Sequence, residues 1–170
     1  MSESHAVEEF LAMDSSHLTA LGRQLTEHQD SEQLVAWVAG LLNEIIEASS
    51  SEWADSVVGE VLELANNRSS WAQGKEVFRK VRSAVNRLAG QRESVEEAIL
   101  LLSEIAAKLA WNASKAGTSF DSDTQFWVPH CVQRVVASSS DHQQQARLLK
   151  KLGLSPEDEI VSSPSVAQRE

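Results

Sequence analysis

A chain of 170 residues, 42% hydrophobic and 24% charged, is long enough for one domain whose core needs neither disulfide nor metal. No uninterrupted apolar run, residues 98–102 included, comes near the ~20 residues that span a bilayer, and its single cysteine, Cys131, excludes an internal disulfide. The formal net charge is −10 and uneven: residues 1–67 hold thirteen Asp and Glu against one basic residue, Arg23, a poor surface for a phosphate backbone.

In chain order the apolar residues recur at helical spacing. Val7, Phe10 and Leu11 predict a short first helix over residues 5–13. Asp14-Ser15-Ser16 breaks it and caps a second, which runs to about residue 28. Ser31 opens a third, whose Leu34, Trp37, Val38, Leu41, Leu42 and Ile45 form the ladder of a helix buried on one face. After Ser49-Ser50-Ser51 a fourth helix carries Trp53, Val57, Val58, Val61, Leu62 and Ala65. Asn66-Asn67 should stop it, because Asn tolerates the left-handed conformation of a helix end.

Ser69-Ser70 leads into a fifth helix with Val77, Phe78, Val81, Val85 and Leu88, closed by Gly90. The sixth, from residue 94 to about 112, is the most apolar, with Val95, Ala98, Ile99, Leu102, Ile105 and Leu109 in one stripe. Leu100, Leu101 and Ala110 widen that stripe, so packing on two or more sides is expected. Residues 113–123 read as a loop. In the seventh helix Phe126, Trp127, Cys131, Val132, Val135 and Val136 face inward, and Pro129 must sit in or near the first turn or kink the helix. Ser138-Ser139-Ser140-Asp141 breaks and caps again, and a short eighth helix with Leu148, Leu149 and Leu152 stops at Gly153. Ser155-Pro156-Glu157 looks like one more helix start.

No alternating strand pattern or Asn-Gly hairpin turn occurs. The expected fold is therefore all-α, a single bundle of seven to eight antiparallel helices around the apolar helix of residues 94–112. Residues 1–158 form the domain and 159–170 a disordered tail. The N-terminus, Met1-Ser2-Glu3-Ser4-His5, lacks the basic and apolar regions of a secretory signal, and a reducing cytoplasm is the expected compartment. Trp37, Trp53 and Trp71 read as successive helices each bringing one large anchor to a shared core.

Carboxylate spacing carries the most chemistry. Glu44-Ile45-Ile46-Glu47 and Glu60-Val61-Leu62-Glu63 each place two acids on one helical face, and Glu52-Trp53-Ala54-Asp55 lies between them. This arrangement over residues 34–66 resembles the all-α nucleoside-triphosphate pyrophosphohydrolases. The resemblance implies that Glu44, Glu47, Glu60 and Glu63 hold the Mg²⁺ that carries the triphosphate. Position 63 is Glu where that family has Asp, and no phosphate-binding Lys or Asn cluster stands nearby. In an acidic segment the same pairs also arise as a solvated face. Asp121-Ser122-Asp123 begins like a calcium loop, but Phe126 and Val132 replace the required Gly and Glu, so helix capping is the better reading.

Neighbouring His130 and Cys131 point ~100° apart on a helix and make a poor dyad, and Cys131 on the apolar stripe reads as a buried inert thiol. Lys75, Arg79 and Arg82 share a face of the fifth helix, with Arg87 further along, and are expected to lie against the acidic third and fourth helices. The Trp-bearing helix from residue 37, the Trp71-Ala72-Gln73-Gly74-Lys75 turn and the apolar helix 94–112 resemble small bacterial all-α proteins of unknown function, some proposed as toxin-immunity proteins. That resemblance implies binding without catalysis and brings no cofactor.

The leading expectation is a non-catalytic protein-binding chain, an immunity or inhibitor protein meeting a partner with a basic surface through Glu44, Glu47, Asp55, Glu60 and Glu63. Neither nucleic acid nor membrane is an expected partner, and a homodimer is possible for a bundle with spare apolar faces. The Mg²⁺-dependent pyrophosphohydrolase and a structural or assembly subunit stand as the alternatives.

Overall fold

A computed structural model of the chain describes residues 2–27, 29–47, 57–88, 95–115 and 122–154. All regular structure among them is helical. Eight α-helices, α1 (Ser2–Leu11), α2 (Ser15–Thr26), α3 (Ser31–Glu47), α4 (Val57–Asn66), α5 (Gly74–Asn86), α6 (Val95–Ala113), α7 (Ser122–Ser138) and α8 (His142–Lys151), are joined by one 3-10 helix, Arg68–Gln73. No described helix is long and apolar enough to cross a membrane. The expected Ser51 cap, Trp53, Gly90 and the segment from Ser155 onward lie outside the described residues.

The helix starts follow side-chain chemistry. Asp14 is extended and its carboxylate accepts the His17 backbone N–H at 2.9 Å, which caps α2. Helix α3 opens at Ser31 as expected, and Asp30 caps it: Gln33 N–H donates to Asp30 Oδ1 at 2.8 Å, and Asp30 N–H donates to Gln33 Oε1 at 2.9 Å. That reciprocal pair is a capping box, which satisfies two donors at once. Asp141 caps α8 through the N–H groups of Gln143 and Gln144.

Helix ends are more varied. Gly153 takes φ +75° after α8, with its N–H bonded to Lys150 O and that of Leu154 bonded to Leu149 O, the Schellman arrangement. Helix α4 ends at Asn66 as expected, yet Asn67 is extended at φ −125°, not left-handed. The chain goes straight into the 3-10 helix, whose Ser69 and Ser70 hydroxyls bind the Asn67 side chain and carbonyl. Helix α5 consequently begins at Gly74, after Trp71 rather than before it. Helices α1, α3 and α7 borrow donors from elsewhere. Gln133 Nε2 donates to Phe10 O and Met13 O, Gln144 Nε2 to Ile45 O, and Gln145 Nε2 to Val136 O and Ser139 O.

The core is built on α6, which packs against α3, α4, α5, α7 and the 3-10 helix. Glu96 is its one exposed residue; Leu100 and Ala110, which widen the stripe, are both buried. Helix α7 lies along α2 and α6, burying Val128, Cys131, Val132, Val135 and Val136. Pro129 sits inside α7 instead of in its first turn, because the helix already starts at Ser122; one helical hydrogen bond is thereby left unmade. Helix α8 is pinned along α3 by Gln144 at Ile45, Arg147 at Glu44 and Lys151 O, which accepts from Trp37 Nε1 at 3.0 Å. Of the three expected anchors, Trp71 is buried with its N–H toward Ala65 O, and Trp37 is half-buried against the same core.

Gly74 is the tightest helix crossing. A β-carbon there would stand 2.7 Å from Ala107 O, 2.8 Å from Trp111 Cβ and 2.9 Å from Trp111 N. Backbone atoms of a buried helix cannot step aside as a flexible side chain can. Ala is ordinarily the better helix former by roughly 0.5–1 kcal/mol, but overpacking of this kind costs about 1–3 kcal/mol. Gly74→Ala should therefore lower stability, and a denaturant titration should show a reduced midpoint with an unchanged slope.

Candidate functional site

The carboxylates singled out in residues 44–63 separate into two kinds. Glu44 is 12% exposed on α3 and accepts from Arg147 Nε of α8 at 2.6 Å. Its hydrogen bond raises the guanidinium's pKa above the ordinary arginine value. Glu60 of α4 accepts from Lys80 Nζ of α5 at 2.9 Å, and this bond, with Coulombic attraction to the same carboxylate, raises the ammonium's pKa. Glu47 and Glu63, each one turn further on, are exposed, and among the described residues neither closes an ion pair. Asp55 lies outside the described residues.

Glu44 and Glu60 thus turn toward bases on two different helices. Among the described residues no group of three or more His, Cys, Asp or Glu gathers where it could hold a metal ion. A shallow cleft of about 310 Å³ is lined by Ile45, Val95, Val135, Ser138, Ser139, Ser140, Asp141 and Gln144. Its one carboxylate, Asp141, already caps α8. Another hollow, of about 420 Å³, lies on α2 over Ser15, Ser16, Thr19, Ala20 and Arg23. Neither lining sets a nucleophile beside a base.

The basic face of α5 differs from its expectation. Lys80, not Lys75, Arg79 or Arg82, reaches the acidic α4, because it stands ~100° round the helix from Arg79 and points to Glu60. Arg82 lies 3.7 Å from Glu104 of α6 and over the Phe78 ring. Lys75 Nζ lies 5.4 Å from the centroid of Trp111, and Lys115 Nζ 3.7 Å from the same centroid. Arg68 of the 3-10 helix pairs with Glu32 of α3 at 2.7 Å.

A buried charge pair escaped the sequence reading. Glu97 of α6, 9% exposed, accepts from Arg134 Nη1 of α7 at 3.1 Å. Glu97, Glu104 and Lys108 recur at helical spacing on the polar side of α6, a pattern that by itself suggests a solvated stripe. In the fold that stripe is covered by α7 and α5, whose Arg134 and Arg82 meet the two glutamates. The legible signal was a lone arginine among the valines of α7. Cys131, one turn from Arg134, is fully buried, and desolvation pushes its thiol pKa up to about 12. That agrees with the inert buried thiol read from its place on the apolar stripe.

No protein-family model matches the chain, nor does a curated protein or a solved structure.

Two outcomes are expected at the α6–α7 contact. Arg134→Met alone removes the guanidinium that faces the buried Glu97 carboxylate and should cost about 3–5 kcal/mol. The double change Glu97→Leu with Arg134→Met should recover most of that loss, as seen in paired chemical melts. Cys131 should resist a thiol reagent at about pH 8 in the native protein and react at once in denaturant, since the thiolate is the reacting form. Rapid native labelling would contradict the burial.

Proposed function

We propose that the chain is a non-catalytic binding protein of the immunity or inhibitor type, whose acidic surface on the first four helices receives a basic protein partner. One observation carries this reading. Within residues 1–67 the only base is Arg23, and the bases contributed from later in the chain, Arg68, Lys80 and Arg147, engage Glu32, Glu60 and Glu44. Glu47 and Glu63 stay exposed beyond those ion pairs. Unpaired carboxylates on a net-negative chain attract a basic partner at long range, disfavour wrong partners and raise the association rate.

The magnesium reading asks more of the same residues. Glu44 and Glu60 would have to leave Arg147 and Lys80 before they could turn to a shared cation. An all-oxygen Mg²⁺ site needs ligands already converging on near-octahedral geometry.

Parallel affinity captures from an extract of the source cells, with the wild-type chain and Glu47→Lys/Glu63→Lys as baits, provide the test. The expected result is a basic protein held by the wild type at low salt, released as salt rises, and missing from the charge-reversed bait. Equal recovery by both baits would place the binding surface elsewhere. A rise in melting midpoint with a nucleoside triphosphate that requires Mg²⁺ and disappears in Glu44→Gln would replace this reading with the pyrophosphohydrolase one.

A further inference from the structure

We infer that the seam between α5 and α6 around Trp111 docks an acidic helical segment of a partner protein. This surface is separate from the acidic one, carries the opposite charge, and does not depend on the function proposed above.

The seam is held rigidly. Gly74 lets α5 sit against Ala107 O and the Trp111 backbone, while Arg82, two turns further on, meets Glu104. α5 therefore runs along α6 toward its earlier residues, and the positions of Lys75 and Arg79 relative to Trp111 are set by backbone contact. Trp111 is half-buried, so part of its indole is packed in the fold and part remains accessible. The ammonium groups of Lys75 and Lys115 both lie by this ring. Arg79 is one turn from Lys75 on the same face and exposed. Among the described residues Lys75, Arg79 and Lys115 close no ion pair with a carboxylate, whereas Lys80 and Arg82 on the same helix do.

Two cations at one indole, with Arg79 a turn further along the same face, none of them paired with a carboxylate among the described residues, form a local inversion of sign in a chain of net charge −10. The surface calls for an anion, and the spacing indicates which kind. Lys75 and Arg79 are one helical turn apart, the separation of carboxylates at i and i+4 on a partner helix. The chain uses the same chemistry internally where Glu60 of α4 meets Lys80 of α5. A tryptophan flanked by basic residues is also the composition of an interface anchor: a large rigid apolar ring ringed by charge. A nucleic-acid backbone fits less well, because only three cations would neutralise phosphates while the acidic first four helices repel them.

The test uses the whole chain, labelled at the indole nitrogens of its five tryptophans, with the Trp111 signal assigned from Trp111→Phe. The probe is a synthetic helical peptide bearing Glu at i and i+4 with leucines on the adjoining face. The expected result is a saturable shift of the Trp111 indole resonance while the other indoles stay in place. Binding should weaken roughly tenfold in Lys75→Glu/Arg79→Glu and at raised salt. If that double variant loses its dispersed spectrum, Lys115→Gln carries the comparison, with a smaller weakening in the same direction. A Trp111 signal unmoved by millimolar peptide overturns the inference. So does an equal shift with polyphosphate of matching charge, which would make the seam a general polyanion surface. A shift on concentrating the protein alone also overturns it, because the occupant would then be a second copy of this chain.

Discussion

Helix α6 is enclosed along most of its length. With Glu96 its single exposed residue, it must be surrounded, and the packing of α3, α4, α5, α7 and the 3-10 helix against it is the arrangement that does so. Ala106, Ala107 and Ala110 keep its surface shallow, and Gly74 takes advantage of that by bringing the α5 backbone nearly into contact with the α6 backbone. Enclosing the helix also covers much of its polar stripe. Glu97 and Glu104 would be left as desolvated charges, and Arg134 and Arg82 arrive from the two covering helices to compensate them. The ion pairs follow from the enclosure. They contribute less net stabilisation than register, because each fixes where along α6 its neighbour must stop.

A second constraint is the carbonyls at helix ends. Only α8 ends, among the described residues, on a left-handed glycine. The other helices reach packed surroundings with acceptors still open, and glutamine side chains from distant parts of the chain supply the donors. Gln133 holds the end of α1 from α7, Gln145 holds the end of α7 from α8, and Gln144 reaches the last turn of α3. These amides are uncharged, so they are buried at far lower desolvation cost than lysine would be. They also tie the N-terminal helix and the C-terminal helix to the same α7, which links residues more than a hundred positions apart.

The charge distribution gives the molecule two surfaces of opposite sign. Three bases from outside the first four helices neutralise carboxylates within them: Arg68 at Glu32, Lys80 at Glu60 and Arg147 at Glu44. These pairs close helix to helix, so they contribute to the architecture. Among the described residues Glu47 and Glu63, and Lys75, Arg79 and Lys115, are left outside these ion pairs. Sorting paired from unpaired charges divides the candidate residues more sharply than their spacing does, because spacing is identical for the two glutamates of each Glu-x-x-Glu pair.

By itself the sequence determined the helical class, the approximate span of every described helix, the caps at Asp14 and Asp141, the stop at Gly153 and the burial of Cys131. All of these depend on neighbours within a turn or on the 3.6-residue period, and such information is local. The tertiary structure decided the rest. Asp30 became the cap of α3 through a reciprocal bond with Gln33. The start of α7 put Pro129 in the helix interior. Glu97 became buried and Glu104 partly so because α7 and α5 lie over a face that local pattern assigns to solvent. Lys80 rather than Lys75 met the acidic α4 because the rotation of α5 about its axis is set by Gly74 against α6, a contact between residues more than thirty positions apart. Helical period reveals which residues share a face. Which neighbour covers that face, and whether it brings the matching charge, is settled only when the helices pack.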